Sequence, residues 1–296
     1  MYIRSPLNYI GGKYKLLKAL LPSFTPANNF VDLFAGGMNV AINVDYPNIY
    51  VNDRIDYLIE LYGYIKETPT NELLQAIHSL IEQYHLTEDN HQGYIELRDN
   101  YNWSKSPLKL FVLTCYSYNN QIRFNNSFEF NTSFGKGRSS FNPKMEQNLI
   151  LFSETLKKKN IILSNLDFRS FDFDQIDNDC LVYCDPPYLI TTGSYNDGTR
   201  GFGNWLKSDD LDLLQLLDNL NASGKKFALS NVTIHKGESN DHLIHWAEKY
   251  YTTSLDMDYS SCSYNVKDRI GETAEVLITN YPVKPVKLEP KKFFVI

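Results

Sequence analysis

Asp185-Pro186-Pro187-Tyr188 follows directly on Cys180-Leu-Val-Tyr-Cys184. A carboxylate, two rigid residues and an aromatic ring in that order suit chemistry on a flat exocyclic amine. The Asp185 carboxylate and the Pro186 carbonyl can each accept a hydrogen bond from an NH2 group, while the Tyr188 ring stacks on the base that carries it. Five apolar residues before the quartet predict a buried central strand, and the prolines end it because each lacks an amide donor and has a fixed φ. In open α/β sheets the carboxyl ends of the strands are where ligands bind. The bland alternative is a strand that stops in a proline turn with a surface tyrosine.

Three further groups could serve such a reaction. Phe30-Val-Asp32-Leu-Phe34 reads as a short buried strand, followed at once by Ala35-Gly36-Gly37 and then by Met38–Val44 as a short helix. Strand, glycine turn and helix open a Rossmann-like unit, and the glycines let a backbone pass close to a nucleoside. The G-x-G-x-x-G fingerprint is missing, which favours a ligand without a pyrophosphate. Asn48–Asn52 is a second strand ending at Asp53, about 20 positions beyond the glycine turn, where an acid can accept both hydroxyls of a ribose. Asp167-Phe168 pairs an acid with a ring that could hold an adenine, or could be a loop carboxylate beside a core phenylalanine. The helix-borne pair His242 and His245 has no third ligand nearby, so no metal is expected.

Between residues 118 and 138, aromatic and polar side chains alternate around Asn125-Asn126-Ser127, a pattern that predicts a β-hairpin. Asn119, Gln121, Arg123, Asn125 and Asn131 are of the types that read purine edges. Lys136 and Arg138 at its foot could hold phosphates. An ordinary amphipathic hairpin with a wet face fits the same spacing equally well.

These residues must be positioned by an α/β frame. Helices are expected over Lys13–Leu21, Ile55–Lys66, Asn71–Tyr84, Pro107–Tyr118, a stretch starting at Asn142-Pro143 and ending in Lys157-Lys158-Lys159, a stretch capped by Ser208 with a Leu211-Leu214-Leu217 face and Gly224 as stop, and Asp241–Tyr250. Further strands are expected at Asn160–Asn165, Phe227–Asn231, Tyr251–Leu255 and Glu275–Thr279. The lysine run reads as a solvated helix end. Thr191–Asn204 reads as a loop over the site, Ser260–Gly271 as a polar stretch with Lys267 and Arg269, and the tail with Pro282, Pro285 and Pro290 as extended surface chain. The βαβ rhythm lapses for about a hundred residues, which predicts an inserted, mainly helical module: a catalytic domain of residues 1–57 and 160–296, and an inserted domain of residues 58–159.

Composition bounds the rest. The 296 residues are 43% hydrophobic and 22% charged, with a formal net charge of −6, which rules against wholesale electrostatic binding of nucleic acid but allows a local basic patch. No apolar run approaches a membrane span. The four cysteines show no zinc-type pairing, Cys180 and Cys184 on one strand are expected as buried thiols, a reduced, cytoplasmic protein follows, and a monomer is favoured.

Tyr9-Ile-Gly-Gly-Lys13, Asp32-Leu-Phe-Ala-Gly-Gly37, Asn52-Asp53, Arg123-Phe-Asn125 with Phe130-Asn131, and Asp185-Pro-Pro-Tyr188 occur in one order. The set resembles the Dam-like (D12 class) adenine-N6-specific DNA methyltransferases, with the resemblance running from Leu7 to Thr279. It implies a Rossmann-like S-adenosylmethionine-dependent methyltransferase sheet with an inserted helical target-recognition domain. S-adenosylmethionine would be the methyl donor and an adenine flipped out of double-stranded DNA the acceptor. By resemblance, Tyr9 and Lys13 line the methionine end of the cofactor and the target pocket. Asp32, Phe34, Gly36 and Gly37 belong to the cofactor loop, Asp53 to the ribose, and Asp167 and Phe168 to the adenine. Tyr118, Asn119, Arg123, Asn125, Asn131 and Lys136 match positions that touch DNA. Tyr9 departs from the tryptophan of the namesake enzyme, and Ser133 from a proline of the GATC-reading members; a short GATC-like site is the leading expectation. The alternatives are methylation of another planar amine or amide (RNA adenine, protein glutamine) and a catalytically silent DNA-binding protein on the same fold.

Overall fold

Asn29–Asp32 (β1) is buried at every position and pairs in parallel with Asn48–Asn52 (β2) on one side. Ile161–Ser164 (β3) extends that side in parallel, and Cys180–Cys184 (β4) pairs with β1 on the other. The computed structural model describes residues 2–191, 205–255 and 273–283. Lys226–His235 (β5) continues from β4 in parallel and carries the two-residue β6 (Glu238–Ser239). Tyr251–Ser254 (β7) and Thr273–Thr279 (β8) complete the sheet, whose order is β3-β2-β1-β4-β5-β8-β7. β8 runs antiparallel to β5, so its first residues lie at the edge where the parallel strands end. The chain steps outward from β1 to β2 and β3 and then returns to β4 on the other flank, which opens a crevice at the carboxyl ends of β1 and β4. This is the mixed α/β, mostly parallel arrangement expected from the sequence.

Alternation along the strands serves two cores. Leu181 and Tyr183 join Phe30, Ile49 and Val51 in one apolar cluster, and Cys180, Val182 and Cys184 join Val31 and Leu33 in the other. After the four-residue α1 (Leu17–Leu20), the helices α2 (Asp56–Glu67), α3 (Thr70–Gln83), α4 (His91–Trp103), α5 (Pro107–Tyr116) and α6 (Pro143–Lys158) pack into the first cluster. α7 (Lys207–Ala222) and α8 (Asp241–Ala247) pack into the second. Cys115, Cys180 and Cys184 are buried free thiols. No described helix is long and apolar enough to cross a membrane.

Several local expectations are corrected. The Lys13–Leu21 segment is a 3-10 turn (Lys13–Leu16), α1, and a second 3-10 turn (Leu21–Ser23) that accommodates Pro22 in its first turn. Met38–Val44 holds only a 3-10 turn at Ala41–Asn43, because Met38 takes a φ of 55° as the chain leaves the glycines. α4 went unread because its buried stripe is Gly93, Tyr94, Leu97 and Tyr101, a narrow face rich in polar-tipped rings. α7 starts after Leu206 rather than at a Ser208 cap, and the Asp209 carboxylate accepts from the Leu206 amide. That register leaves Leu211 46% exposed and turns Leu213, Leu214, Leu217 and Leu220 inward. α8 ends at Ala247, short of Tyr250. The expected hairpin folds back as foreseen but is reduced to two isolated bridges, Ser117 with Phe134 and Phe124 with Phe130. The Lys157-Lys158-Lys159 run is not simply solvated: Lys157 donates to the Ile65 carbonyl at 2.7 Å and Lys159 to the Val44 carbonyl. Residues 192–204 of the expected loop, the 260–271 stretch, Cys262 and the tail beyond residue 283 lie outside the described residues.

Candidate active site

β4 is buried at all five positions and ends where Pro186 and Pro187 remove the donors a strand needs. Asp185 is thereby delivered into the crevice, its side chain 17% exposed. Lys13 Nζ lies 2.7 Å from Asp185 Oδ1 and 3.4 Å from a Glu275 carboxylate oxygen. The Tyr188 hydroxyl stands 2.9 Å from Asp185 Oδ1 and 2.8 Å from Glu275 Oε1, and the Lys13 ammonium sits 5.0 Å from the Tyr188 ring centroid. Burial pushes the Asp185 carboxyl up from its ordinary value, Lys13 pulls it down, and Glu275 pushes it up again. For Lys13, burial acts downward but the two carboxylates outweigh it, so the ammonium is held above its ordinary pKa.

The glycine turn forms the opposite wall. Asp32, the last residue of β1, is 1% exposed. Its Oδ2 accepts the Ala41 amide at 3.2 Å, while Oδ1 is buried without a partner. Gly36 takes a φ of 47°, and a Cβ there would come within 3.0 Å of the Tyr9 ring; at Gly37 a Cβ would meet the Tyr9 Cβ at 3.0 Å. Tyr9 and the turn are thus packed together with no room for side chains on the turn. Asp53 is 8% exposed and fixes the turn from β2: Oδ2 accepts the Gly36 amide at 2.7 Å and Oδ1 the Ile55 amide at 2.9 Å. Burial raises its pKa to about 6 against the pull of those two amides.

A third wall is aromatic. The Phe34 and Phe168 rings lie 5.4 Å apart, and Trp205 meets them at 5.8 and 5.7 Å. Asp167 caps the turn that carries Phe168 and pairs with Arg169 at 3.2 Å. One cavity is lined by Tyr9, Lys13, Asp32, Phe34, Gly36, Gly37, Asp53, Asp167, Phe168, Asp185, Pro186, Pro187 and Tyr188. The structure therefore brings together every residue assigned from the sequence to catalysis or cofactor. Missed were Glu275, Trp205 and Arg169. Glu275 had one visible signal, a charge at the head of an otherwise apolar strand; Trp205 and Arg169 had none in local spacing.

The fold-back segment is less uniform. Phe124 and Phe130 are buried, whereas Tyr118, Asn119, Arg123, Ser133, Lys136 and Arg138 are exposed and Gln121 and Asn131 half-buried. Arg123 Nε donates to Asn131 Oδ1 at 3.0 Å, and a terminal nitrogen donates to the Asn131 carbonyl at 3.2 Å. The Asn125 side chain is spent on the turn, accepting from the Ser127 and Glu129 amides and donating to the Glu129 carboxylate. Arg138 lies 5.0 Å over the Tyr118 ring. Asn8 donates to the Asn119 carbonyl at 2.9 Å, tying this segment to the strand-end site through the Tyr9 stretch.

The family model for D12 class N6 adenine-specific DNA methyltransferases matches residues 9–259. The chain belongs to that family. It is 48% identical over 281 residues to the type II methyltransferase M.FokI of Planomicrobium okeanokoites, covering 95% of this chain and 43% of the relative. It is 44% identical over 290 residues to the modification methylase StsI of Streptococcus sanguinis, covering 97% of this chain and 44% of the relative. A DNA adenine methylase of Vibrio cholerae is 27% identical over 214 residues, 70% of this chain and 73% of the relative. The chain thus spans less than half the length of M.FokI and StsI. In this D12-class chain, the Asp185 carboxylate, the Gly36-Gly37 turn and the Phe34, Phe168 and Trp205 rings line one cavity.

Proposed function

We propose that this chain transfers a methyl group from S-adenosylmethionine to the N6 amine of an adenine flipped out of double-stranded DNA. One observation carries the reading: Asp185-Pro186-Pro187-Tyr188 opens from β4 into the same cavity as the Gly36-Gly37 turn and Asp53. The residues fit a nucleoside cofactor. Asp53 is an acceptor at the end of β2, Phe34, Phe168 and Trp205 form a slot for a flat ring, and the unpartnered Asp32 Oδ1 offers an acceptor to a cationic amine. S-adenosylmethionine bound there would supply an electrophilic methyl group on a sulfonium. The chain's own contribution is positioning and preorganised acceptors. Asp185 and the Pro186 carbonyl accept from the adenine amine and favour a localised lone pair on N6, and Tyr188 holds the ring by stacking. Unpairing the base costs a few kcal/mol, which stacking and these hydrogen bonds offset.

Residues 58–159 form the target-recognition part. Arg123 reads a base edge, and Lys136 and Arg138 hold phosphates. A GATC-like site stays the candidate to map, with Ser133 exposed where GATC readers carry a proline. The names of M.FokI and StsI support a modification enzyme of a restriction system. Labelled-methyl transfer to DNA, RNA and protein side by side tests the reading. Label in DNA alone supports it. Label in RNA or in a protein amide moves the substrate, and no label in any of the three identifies a silent binding protein.

A further inference from the structure

Glu275 stands third in β8, the antiparallel strand whose first residues reach the edge where β4 releases Asp185. Opposite it, β5 carries an extra residue between Val232 and Ile234, and such bulges re-aim neighbouring side chains. The Glu275 side chain reaches the site from the far side of Tyr188: Oε1 is 2.8 Å from the Tyr188 hydroxyl and 3.4 Å from Lys13 Nζ. A phenol has one proton to donate, and here two carboxylates compete for it.

We propose that Glu275 is a positioning residue of the methyl-acceptor site, fixing the Tyr188 ring by its hydroxyl and giving Lys13 a second carboxylate when a substrate amine takes Asp185. The inference rests on the acceptor role of Asp185 argued above. Lys13 and Tyr188 both bond Asp185 through Oδ1, so an incoming amine that takes that oxygen must compete with a buried ammonium. Were Asp185 the sole anion, displacing Lys13 would strand a charge in a pocket where it is only 6% exposed. With Glu275 already at 3.4 Å, the ammonium needs to move by only a fraction of its present contact distance. The groups facing Asp185 are one cation, Lys13 from the first turn, the carboxylates of Glu275 from β8 and Asp32 at the end of β1, and the phenols of Tyr188 on its own loop and Tyr183 on β4.

Three variants test this in the full chain. E275Q keeps an acceptor for Tyr188 but removes the charge, E275D keeps the charge, and E275A removes both. E275Q and E275A should turn over at least tenfold more slowly, with affinity for S-adenosylmethionine within twofold of wild type, and E275D should recover most of the rate. Removing the charge takes away an influence that raises the Asp185 pKa, so the Asp185 carboxyl should titrate at lower pH in E275Q. In E275D it should titrate as in wild type. Carboxyl carbon NMR of the unliganded protein reads this independently of activity. An unmoved Asp185 midpoint in E275Q, or wild-type turnover in E275A, overturns the proposal. A wild-type chain that methylates no DNA while the midpoint moves as expected retires the methyltransferase reading and leaves the charge arrangement standing.

Discussion

Lys13 Nζ meets Asp185 Oδ1 at 2.7 Å, joining the amino-terminal Gly-Gly-Lys stretch to the end of β4. The ammonium is nearly inaccessible to water, so it is held by its two carboxylates and by the Gly11 carbonyl at 3.2 Å. The cluster is therefore assembled from segments far apart in sequence, with a cation set against the Asp185 carboxylate.

Lys13→Met should leave Asp185 and Glu275 facing each other without a cation. Lys13 lowers the Asp185 pKa, so its loss raises it. The acid limb of the pH–rate profile should move to higher pH, and activity lost near neutrality should partly return in alkaline buffer. A loss equal at all pH values would assign Lys13 to another role.

Asp53 carries a pH signature of its own. Its folded pKa, about 6, is above the ordinary value of 3.8. The folded state then binds the proton more tightly, and the wild type loses stability as pH rises from about 4 to about 6, with no further change above. Measured against Asp53→Asn by denaturant unfolding, the difference should shrink by ~3 kcal/mol across that window. Calorimetry should also show Asp53→Ala weakening S-adenosylmethionine by ~1–3 kcal/mol, because ribose hydroxyls lose a buried acceptor. A flat stability difference and unchanged affinity would remove Asp53 from the cofactor site.

Arg123 and Lys136 separate base reading from phosphate binding. The Asn131 side chain and carbonyl hold the guanidinium in a fixed plane, which suits a two-point bond to guanine N7 and O6. Arg123→Ala should relax discrimination at one base by ~1–3 kcal/mol. Lys136→Ala should weaken all sequences alike and flatten the salt dependence. Binding titrations on a panel of single-base variants at two salt concentrations distinguish them, and uniform weakening by Arg123→Ala would make it a phosphate contact.

Much of the site was legible because local chemistry fixed it. The apolar run before Asp185 could only be a buried strand, and an acid at the end of the next strand after a glycine turn had one obvious place to go. What stayed hidden depends on contacts across the chain. Glu275 acquires meaning only when β8 inserts antiparallel beside β5, and the aromatic wall needs Trp205 brought back onto Phe34 and Phe168. Helix registers failed where capping was unusual, as at Leu206 and Asp209. The lysines at the end of α6 looked solvated because nothing local shows that the Ile65 and Val44 carbonyls await Lys157 and Lys159.

The most direct measurement is single-turnover formation of N6-methyladenine in duplex DNA by wild type and Asp185→Ala, with S-adenosylmethionine affinity determined in parallel. The wild type should yield N6-methyladenine. The variant should be slower by at least ~3 kcal/mol in barrier, a hundredfold or more, by analogy with the loss of other preorganised acceptors or donors at a reacting centre, while still binding the cofactor. A variant that keeps more than about a tenth of the wild-type rate, well short of that barrier increase, or a wild type that leaves adenine N6 unmodified, would contradict the account.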